Sequence, residues 1–248
     1  MQRIAQFLFK NFFTLYRPLY WIYKNVTDKE NILFFKNYIH EGNTVLDVGA
    51  NIGFTTSIFS KQVGASGKII SFEPDRINFK HLKNLVEEKK IKNVSLLNKA
   101  VSNQSGVLTF YTSPHLNVDH RAYKVNEYAS VTEIECISID DYVMQNQLKP
   151  NFIKIDIQGY EYQAFVGMEN TIKNNPNLIV FTEFWPFALN KAGYSAKELV
   201  SLWNQSEFLI YTIKHSNLIP TTEKEISKYY SWPENKFCNF VLSKNKLN

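Results

Sequence analysis

Thr44-Val45-Leu46-Asp47-Val48-Gly49-Ala50-Asn51-Ile52-Gly53-Phe54 is the stretch from which the fold of this chain is read. Its first half is a short apolar run suited to a buried strand, Gly49 and Gly53 permit a tight turn, and Thr55 to Lys61 reads as a helix. A strand, glycine loop and helix in succession let a backbone approach a ligand closely. The helix end adds unpaired N–H groups. Something small and polar is expected there.

The spacing narrows the ligand. A dinucleotide site would show G-x-G-x-x-G, with a pyrophosphate resting on the helix end. Here the loop is Gly-Ala-Asn-Ile-Gly, and Asp47 stands two residues before it. A carboxylate there repels a pyrophosphate but suits an ammonium group. A second apolar strand, Lys68 to Phe72, ends in Glu73-Pro74. An acid at that tip is where a ribose diol is gripped. Ammonium and ribose without phosphate point to S-adenosyl-L-methionine, with Asp47, Gly49, Ala50, Asn51, Gly53, Thr55, Glu73 and Pro74 as its candidate contacts.

Lys154-Ile155-Asp156-Ile157-Gln158-Gly159-Tyr160-Glu161 lies downstream. With D-V-G-A-N-x-G, F-E-P and K-x-D-x-x-G-x-E in this order, the chain resembles the FkbM-type methyltransferases over roughly Gly42 to Glu183. Gln158 stands where many members have Glu. The resemblance implies an α/β, Rossmann-like class I methyltransferase fold. That fold has a mostly parallel seven-stranded sheet, helices on both faces and an antiparallel edge hairpin. It also implies O-methylation of a hydroxyl on a sugar, glycolipid or natural product, an activity of class EC 2.1.1.-.

Periodicity supports that architecture. Strands are expected at Asn93 to Leu97, Val107 to Tyr111, Val131 to Ile137, Phe152 to Ile155, Leu178 to Phe181, Phe208 to Ile213 and Phe237 to Leu242. Helices are expected at Lys29 to His40, after Pro74-Asp75, at Ile139 to Val143, from Tyr160 to Lys173, and from Ser195 to Gln205 with a Ser195/Glu198 capping box. In an open α/β sheet ligands lie beyond the carboxyl ends of the strands, so Asn98 and Ala100 should flank the adenine and Asp156 the methyl group.

Methyl transfer asks the protein mainly for position, but a hydroxyl acceptor also needs a base. Asp156 is the first candidate, as base or as a clamp beside the sulfonium, and Glu183 the second. The stretch 113–130 has no clear period and reads as a lid, offering His115 and His120 as further bases. Tyr123, Tyr128, Tyr160, Phe184 and Trp185 are candidates for stacking on a sugar ring. Asp156 with Glu161 or Glu183 has oxygens suited to Mg²⁺, but no spacing requires it and no metal is assigned.

Composition bounds the alternatives. The 248 residues, 44% hydrophobic and 21% charged, suit one domain with decorations. Cys136 and Cys238 read as buried thiols, and the scattered basic residues, net +5, do not form a nucleic-acid stripe. The chain also lacks the N/D-P-P-Y/F segment of base methylation, so a small-molecule or glycan acceptor is expected rather than nucleic acid. Asp47 and Glu73 weigh against a Rossmann oxidoreductase. A non-catalytic cofactor-binding module is disfavoured by the intact set of polar residues.

Residues 1–41 read as an N-terminal helical extension and 42–248 as the catalytic domain. Arg3, Lys10, Arg17 and Lys24 recur every seven residues among aromatics, with no acid before Asp28, in what reads as a helix broken near Pro18. Charge interrupts the segment too often for a signal peptide or a membrane span. Packing on the domain's own core and lying at a membrane interface both fit. The expected location is cytoplasmic, with residues 1–27 available for peripheral contact at the inner face of the membrane.

Overall fold

The computed structural model describes residues 2–113, 120–124 and 128–247. Three helices lead the chain: α1 (Gln2–Asn11), α2 (Phe13–Thr27) and α3 (Lys29–Tyr38). Strands and helices then alternate as β1 (Thr44–Val48), α4 (Phe54–Val63), β2 (Lys68–Phe72), α5 (Arg76–Glu88) and β3 (Val94–Leu97). A small sheet is made of β4 (Ala100–Val101), β5 (Gly106–Thr112) and β6 (Ser130–Ile137). The chain continues through α6 (Ile139–Gln145), β7 (Phe152–Ile155), α7 (Glu161–Val166), α8 (Glu169–Asn174), β8 (Ile179–Phe184), α9 (Pro186–Lys191) and α10 (Ala196–Gln205). It ends with β9 (Leu209–Lys214), β10 (Asn217–Pro220), α11 (Glu223–Ile226) and β11 (Cys238–Ser243).

The main sheet runs β10-β9-β11-β8-β7-β1-β2-β3. Strands β3, β2, β1, β7 and β8 are parallel, and β11 is antiparallel to both neighbours, β8 and β9. This is the expected doubly wound sheet, with β10 adding an eighth strand at the edge. Alternation along each strand fills both faces. Leu46, Ile70, Ile153 and Val180 face a core containing Phe184, Trp203 and Phe240. Val45, Ile69, Phe152 and Phe181 face another containing Phe34, Phe35 and Phe59.

Register positions the site. Val48 pairs with both Phe72 and Ile155, and Ile155 with Thr182. The residues one step further along these strands, Gly49, Glu73, Asp156 and Glu183, therefore emerge along one edge of the sheet. That edge is the point where the winding reverses between β1 and β7, the position at which ligands enter such folds.

Several local expectations are corrected. The N-terminal helix breaks at Phe12 rather than Pro18, which lies inside α2. Pro18 is solvent-exposed, so water can take the carbonyl that its missing N–H leaves unpaired. The single helix expected from Tyr160 to Lys173 is two, α7 and α8, parted at Gly167-Met168. A β-carbon on Gly167 would overlap the Ser102 carbonyl oxygen, and the Gly167 carbonyl is used by Asp140 N–H at 2.8 Å. The Ser195/Glu198 capping box forms as expected.

The N-terminal helices pack on the domain. Phe9 and Tyr16 share a cluster with Ile52 of the glycine loop, Phe13 stacks on His81, and Arg17 pairs with Glu88 at 2.7 Å. Of the expected lid, residues 114–119 and 125–127, with His115, lie outside the described residues. Arg121 of the described part forms an antiparallel bridge to Tyr111.

Candidate active site

The glycine loop is locked at both ends. Gly49 and Ala50 donate their N–H groups to Phe72 O, each at 3.0 Å, and Ile52 N–H is held by the Asn51 side chain at 2.7 Å. Asn51 and Gly53 take positive φ values of 51° and 91°. A β-carbon on Gly53 would come within 2.6 Å of Leu85 and 2.7 Å of Leu82, so the loop lies flat on α5.

Asp47 sits fully buried beneath that loop. It accepts from Thr55 Oγ1 at 2.8 Å and Thr56 Oγ1 at 2.7 Å, and Lys154 Nζ lies 3.5 Å away. Its oxygens are thus engaged by the start of α4. Lys154 is buried too, donating to Gly49 O at 2.8 Å and Val48 O at 3.2 Å, with Asp156 at 3.8 Å. Burial works to push the Lys154 ammonium down, but Asp156, Asp47 and Glu73 outweigh it and hold it above its ordinary value. Sequence reasoning read Phe152 to Ile155 as an apolar strand and assigned Lys154 no role beyond its place in the K-x-D-x-x-G-x-E motif.

Glu73 accepts from Asn51 N–H at 2.7 Å and Asp75 N–H at 2.9 Å. Burial pushes its carboxyl up to about 8, against those two donors. Asn98 donates to the carbonyls of Glu73 and Pro74 at 2.8 and 3.0 Å, stapling the end of β2 to the end of β3. Asp75 caps α5, and His120 lies near it, Nε2 at 3.8 Å, while accepting Ser113 N–H at 2.9 Å.

At the β7 and β8 tips, the Gln158 amide donates to Asp156 at 3.0 Å and to Glu183 at 3.1 Å. Burial, reinforced by Asp156 and Glu161, pushes Glu183 well above the carboxylate range, with Lys154 and Arg121 opposing. Asp156 is the more open of the two, its side chain 41% exposed. Glu161 folds back to accept N–H groups of Ile157 at 3.0 Å and Gly159 at 2.9 Å. It shapes the turn that presents Gln158.

Glu73, Lys154, Asp156, Gln158 and Glu183 line one cleft of about 750 Å³, whereas Asp47, Gly53 and Asn98 lie behind its lining. Among the expected cofactor residues, Gly49, Ala50, Asn51, Thr55, Glu73, Pro74, Ala100 and Asp156 border it, as do Glu183 and His120. Tyr20, Tyr23, Lys24 and Asp28 form a wall that sequence reasoning missed. Burial raises the Tyr20 phenol, and Asp156 and Asp28 are among the negative groups that add to it.

Beyond Glu183, the Arg121 guanidinium lies 4.6 Å from the Trp185 ring and donates to Gln158 O at 3.0 Å. Trp185 and Tyr160 border the cleft, and Tyr123 donates to the same Gln158 carbonyl at 3.2 Å. Phe184 does not join them: it alternates to the opposite side and is fully buried against Trp203 and Phe240. Tyr128 packs on Tyr111 and is half exposed.

The lining fits a nucleoside. Glu73, Asp156 and Glu183 line the cleft, so a ribose diol would meet carboxyl oxygens able to accept its hydrogen bonds. Phe72, Val101 and Phe110 add apolar surface for a base.

The methyltransferase FkbM domain matches residues 47–209 of the chain. The hexuronic acid methyltransferase AglP of Haloferax volcanii is 28% identical over 168 residues, 67% of this chain and 64% of that protein. The solved methyltransferase FkbM of Methylobacillus flagellatus superposes with a TM-score of 0.51 at 16% identity, over 81% of this chain and 43% of that one. A putative rRNA methylase from Clostridium thermocellum gives 0.52 at 10% identity, over 90% and 97%. The chain thus spans under two-thirds of the first two proteins, and the two structural likenesses are likenesses of fold.

Proposed function

Since the chain belongs to the FkbM methyltransferase family, we propose that it transfers a methyl group from S-adenosylmethionine to a hydroxyl of an acidic sugar within a glycan. The observation that carries this reading is the division of the cleft. At one end are Glu73 and the glycine loop; at the other Asp156, Gln158 and Glu183 stand beside Arg121 stacked on Trp185.

Glu73 would hold the ribose diol, and the flattened Gly49 to Gly53 backbone would admit the cofactor closely. Asp47 acts as a positioning residue, through Thr55 and Thr56, for the loop above it. When bound, the cofactor supplies an electrophilic methyl group on a positively charged sulfur. Asp156, open to the cleft, takes the proton of the acceptor hydroxyl as that oxygen becomes the nucleophile. Glu183, held protonated by burial, donates a hydrogen bond to the acceptor and leaves Asp156 as the base. Gln158 fixes both carboxyls at hydrogen-bond distance without adding a negative charge of its own.

For the acceptor, Trp185 and Tyr160 offer ring faces to a sugar, and Arg121 offers a cation to its carboxylate. The AglP relative, named for hexuronic acid, supports the same class. The test is titration calorimetry with S-adenosylmethionine and S-adenosylhomocysteine on the wild type, Asp47→Ala and Glu73→Gln, followed by methyl transfer to uronic-acid and neutral glycosides. Binding weakened by both substitutions, with turnover on the uronic acids that Asp156→Asn lowers by about 10²–10⁴, is expected. A folded protein that binds neither cofactor form would overturn the reading.

A further inference from the structure

The outer side of the N-terminal helices is apolar. Leu15, Leu19, Ile22 and Val26 follow i, i+4, i+7 and i+11 along α2, a single narrow stripe, and all are between 50% and 73% exposed. The stripe continues through Phe12 and, on α1, Phe7 and Ile4, each more than half exposed. The opposite side of the same helices, Phe9, Tyr16 and Tyr20, packs on Ile52 and Phe54 of the domain. Packing on the domain therefore accounts for one face and leaves the other. Contiguous apolar surface of this kind marks a contact with something else.

Charge says what that something is. Residues 1–27 carry Arg3, Lys10, Arg17 and Lys24 and no carboxylate. Lys10 is exposed at the end of α1. Arg17 and Lys24 are paired with Glu88 and Asp28, and along the flank of α2 Lys89 lies 5.8 Å over the Trp21 ring, with Lys61 as a further positive neighbour. A second copy of the chain would bring the same cations against each other, whereas an anionic surface would be attracted. Among the described residues no helix is long and apolar enough to cross a membrane. An apolar stripe with a basic flank, on a helix lying flat on its domain, suits the headgroup boundary.

The geometry points to α1 and α2 as a docking surface for an anionic lipid bilayer, with Ile4, Phe7, Phe12, Leu15, Leu19, Ile22 and Val26 inserted among the headgroups. The inner face of α2 carries Tyr20, Tyr23 and Lys24 into the cleft wall, so docking holds the mouth of the cleft close to the membrane.

The test is flotation of the full chain with phosphatidylcholine vesicles, with and without about 30% phosphatidylglycerol, alongside sedimentation velocity without lipid. The wild type is expected to float with the anionic vesicles and far less with neutral ones. Leu15→Ser/Leu19→Ser/Ile22→Ser/Val26→Ser lowers the partition coefficient about 100-fold or more. Lys10→Glu/Lys89→Glu lowers it on the order of tenfold on anionic vesicles alone. Circular dichroism and melting of both variants establish that they are folded, since every substituted side chain is exposed. A wild type that stays out of both vesicle types overturns the proposal, as does equal flotation of the four-serine variant. A dimer that the four-serine variant dissolves, with no lipid binding, assigns the face to a second copy instead.

Discussion

Gly49 and Asp156 meet backbone to backbone: a β-carbon on the glycine would overlap the Asp156 carbonyl oxygen and stand 3.0 Å from its carbonyl carbon. Gly49 also holds φ at +78°, a conformation that side chains rarely adopt. Gly49→Ala must therefore part the tips of β1 and β7 and strain the loop at once. The expected loss is about 3 kcal/mol of folding stability or more. A shift of the urea midpoint at unchanged slope would measure it, and a variant as stable as the wild type would show that the two tips separate freely.

Glu73 supplies a pH signature. Its carboxyl is pushed up to about 8 from an ordinary 4.5, so the folded chain keeps a proton that the unfolded chain releases. The contribution of this group to stability is present in full below about 4.5, declines as pH rises and is gone above about 8. Glu161, raised by burial to about 7, and Glu183 slope the same way, so the wild-type curve is a sum. The difference between wild type and Glu73→Gln isolates the one group. Melting of the ligand-free proteins from pH 5 to 9 should find the glutamine variant gaining on the wild type as pH rises. Equal slopes would place the Glu73 titration elsewhere.

Lys154 holds the Val48 and Gly49 carbonyls at the tip of β1 and faces Asp47 from inside the protein. Lys154→Met leaves that buried carboxylate without its cation, at an expected cost of about 3–5 kcal/mol. Adding Asp47→Asn removes the unpaired charge and should restore part of the loss. A double-mutant cycle by denaturant unfolding reads the coupling. Strictly additive losses would show that the pair does not interact.

What the sequence disclosed follows from how local each signal is. The apolar run before Gly49, the acids ending β2 and β7, and the Ser195/Glu198 cap are set within a few residues, and each stands where pattern and turn chemistry placed it. The break at Gly167 was not legible, because the Ser102 carbonyl that requires it arrives from a distant strand. Phe184 reads as a mouth residue only until alternation along β8 is fixed, which puts Glu183 in the cleft and Phe184 in the core. The wall made by Tyr20 and Tyr23 depends on how α2 lies across the loop, a choice that helical periodicity alone leaves open. The cofactor end was therefore readable, and the acceptor end only in part.

Arg121 tests the acceptor end. Its guanidinium is buried, stacked on Trp185 at 4.6 Å and fixed to the Gln158 carbonyl, close to the two carboxyls that Gln158 bridges. On the proposed reading it pairs with the acceptor's carboxylate, so its loss should appear in acceptor binding and not in cofactor binding. Arg121→Gln is expected to raise KM for a uronic-acid glycoside by about 10- to 100-fold while leaving S-adenosylhomocysteine affinity within about twofold. Arg121→Lys keeps the charge but loses the planar stack, and should recover only part of the loss. Steady-state kinetics with matched uronic-acid and neutral glycosides separates the possibilities. An equal rise in KM for both would mean that Arg121 shapes the wall of the cleft, and that the preference for an acidic sugar is wrong.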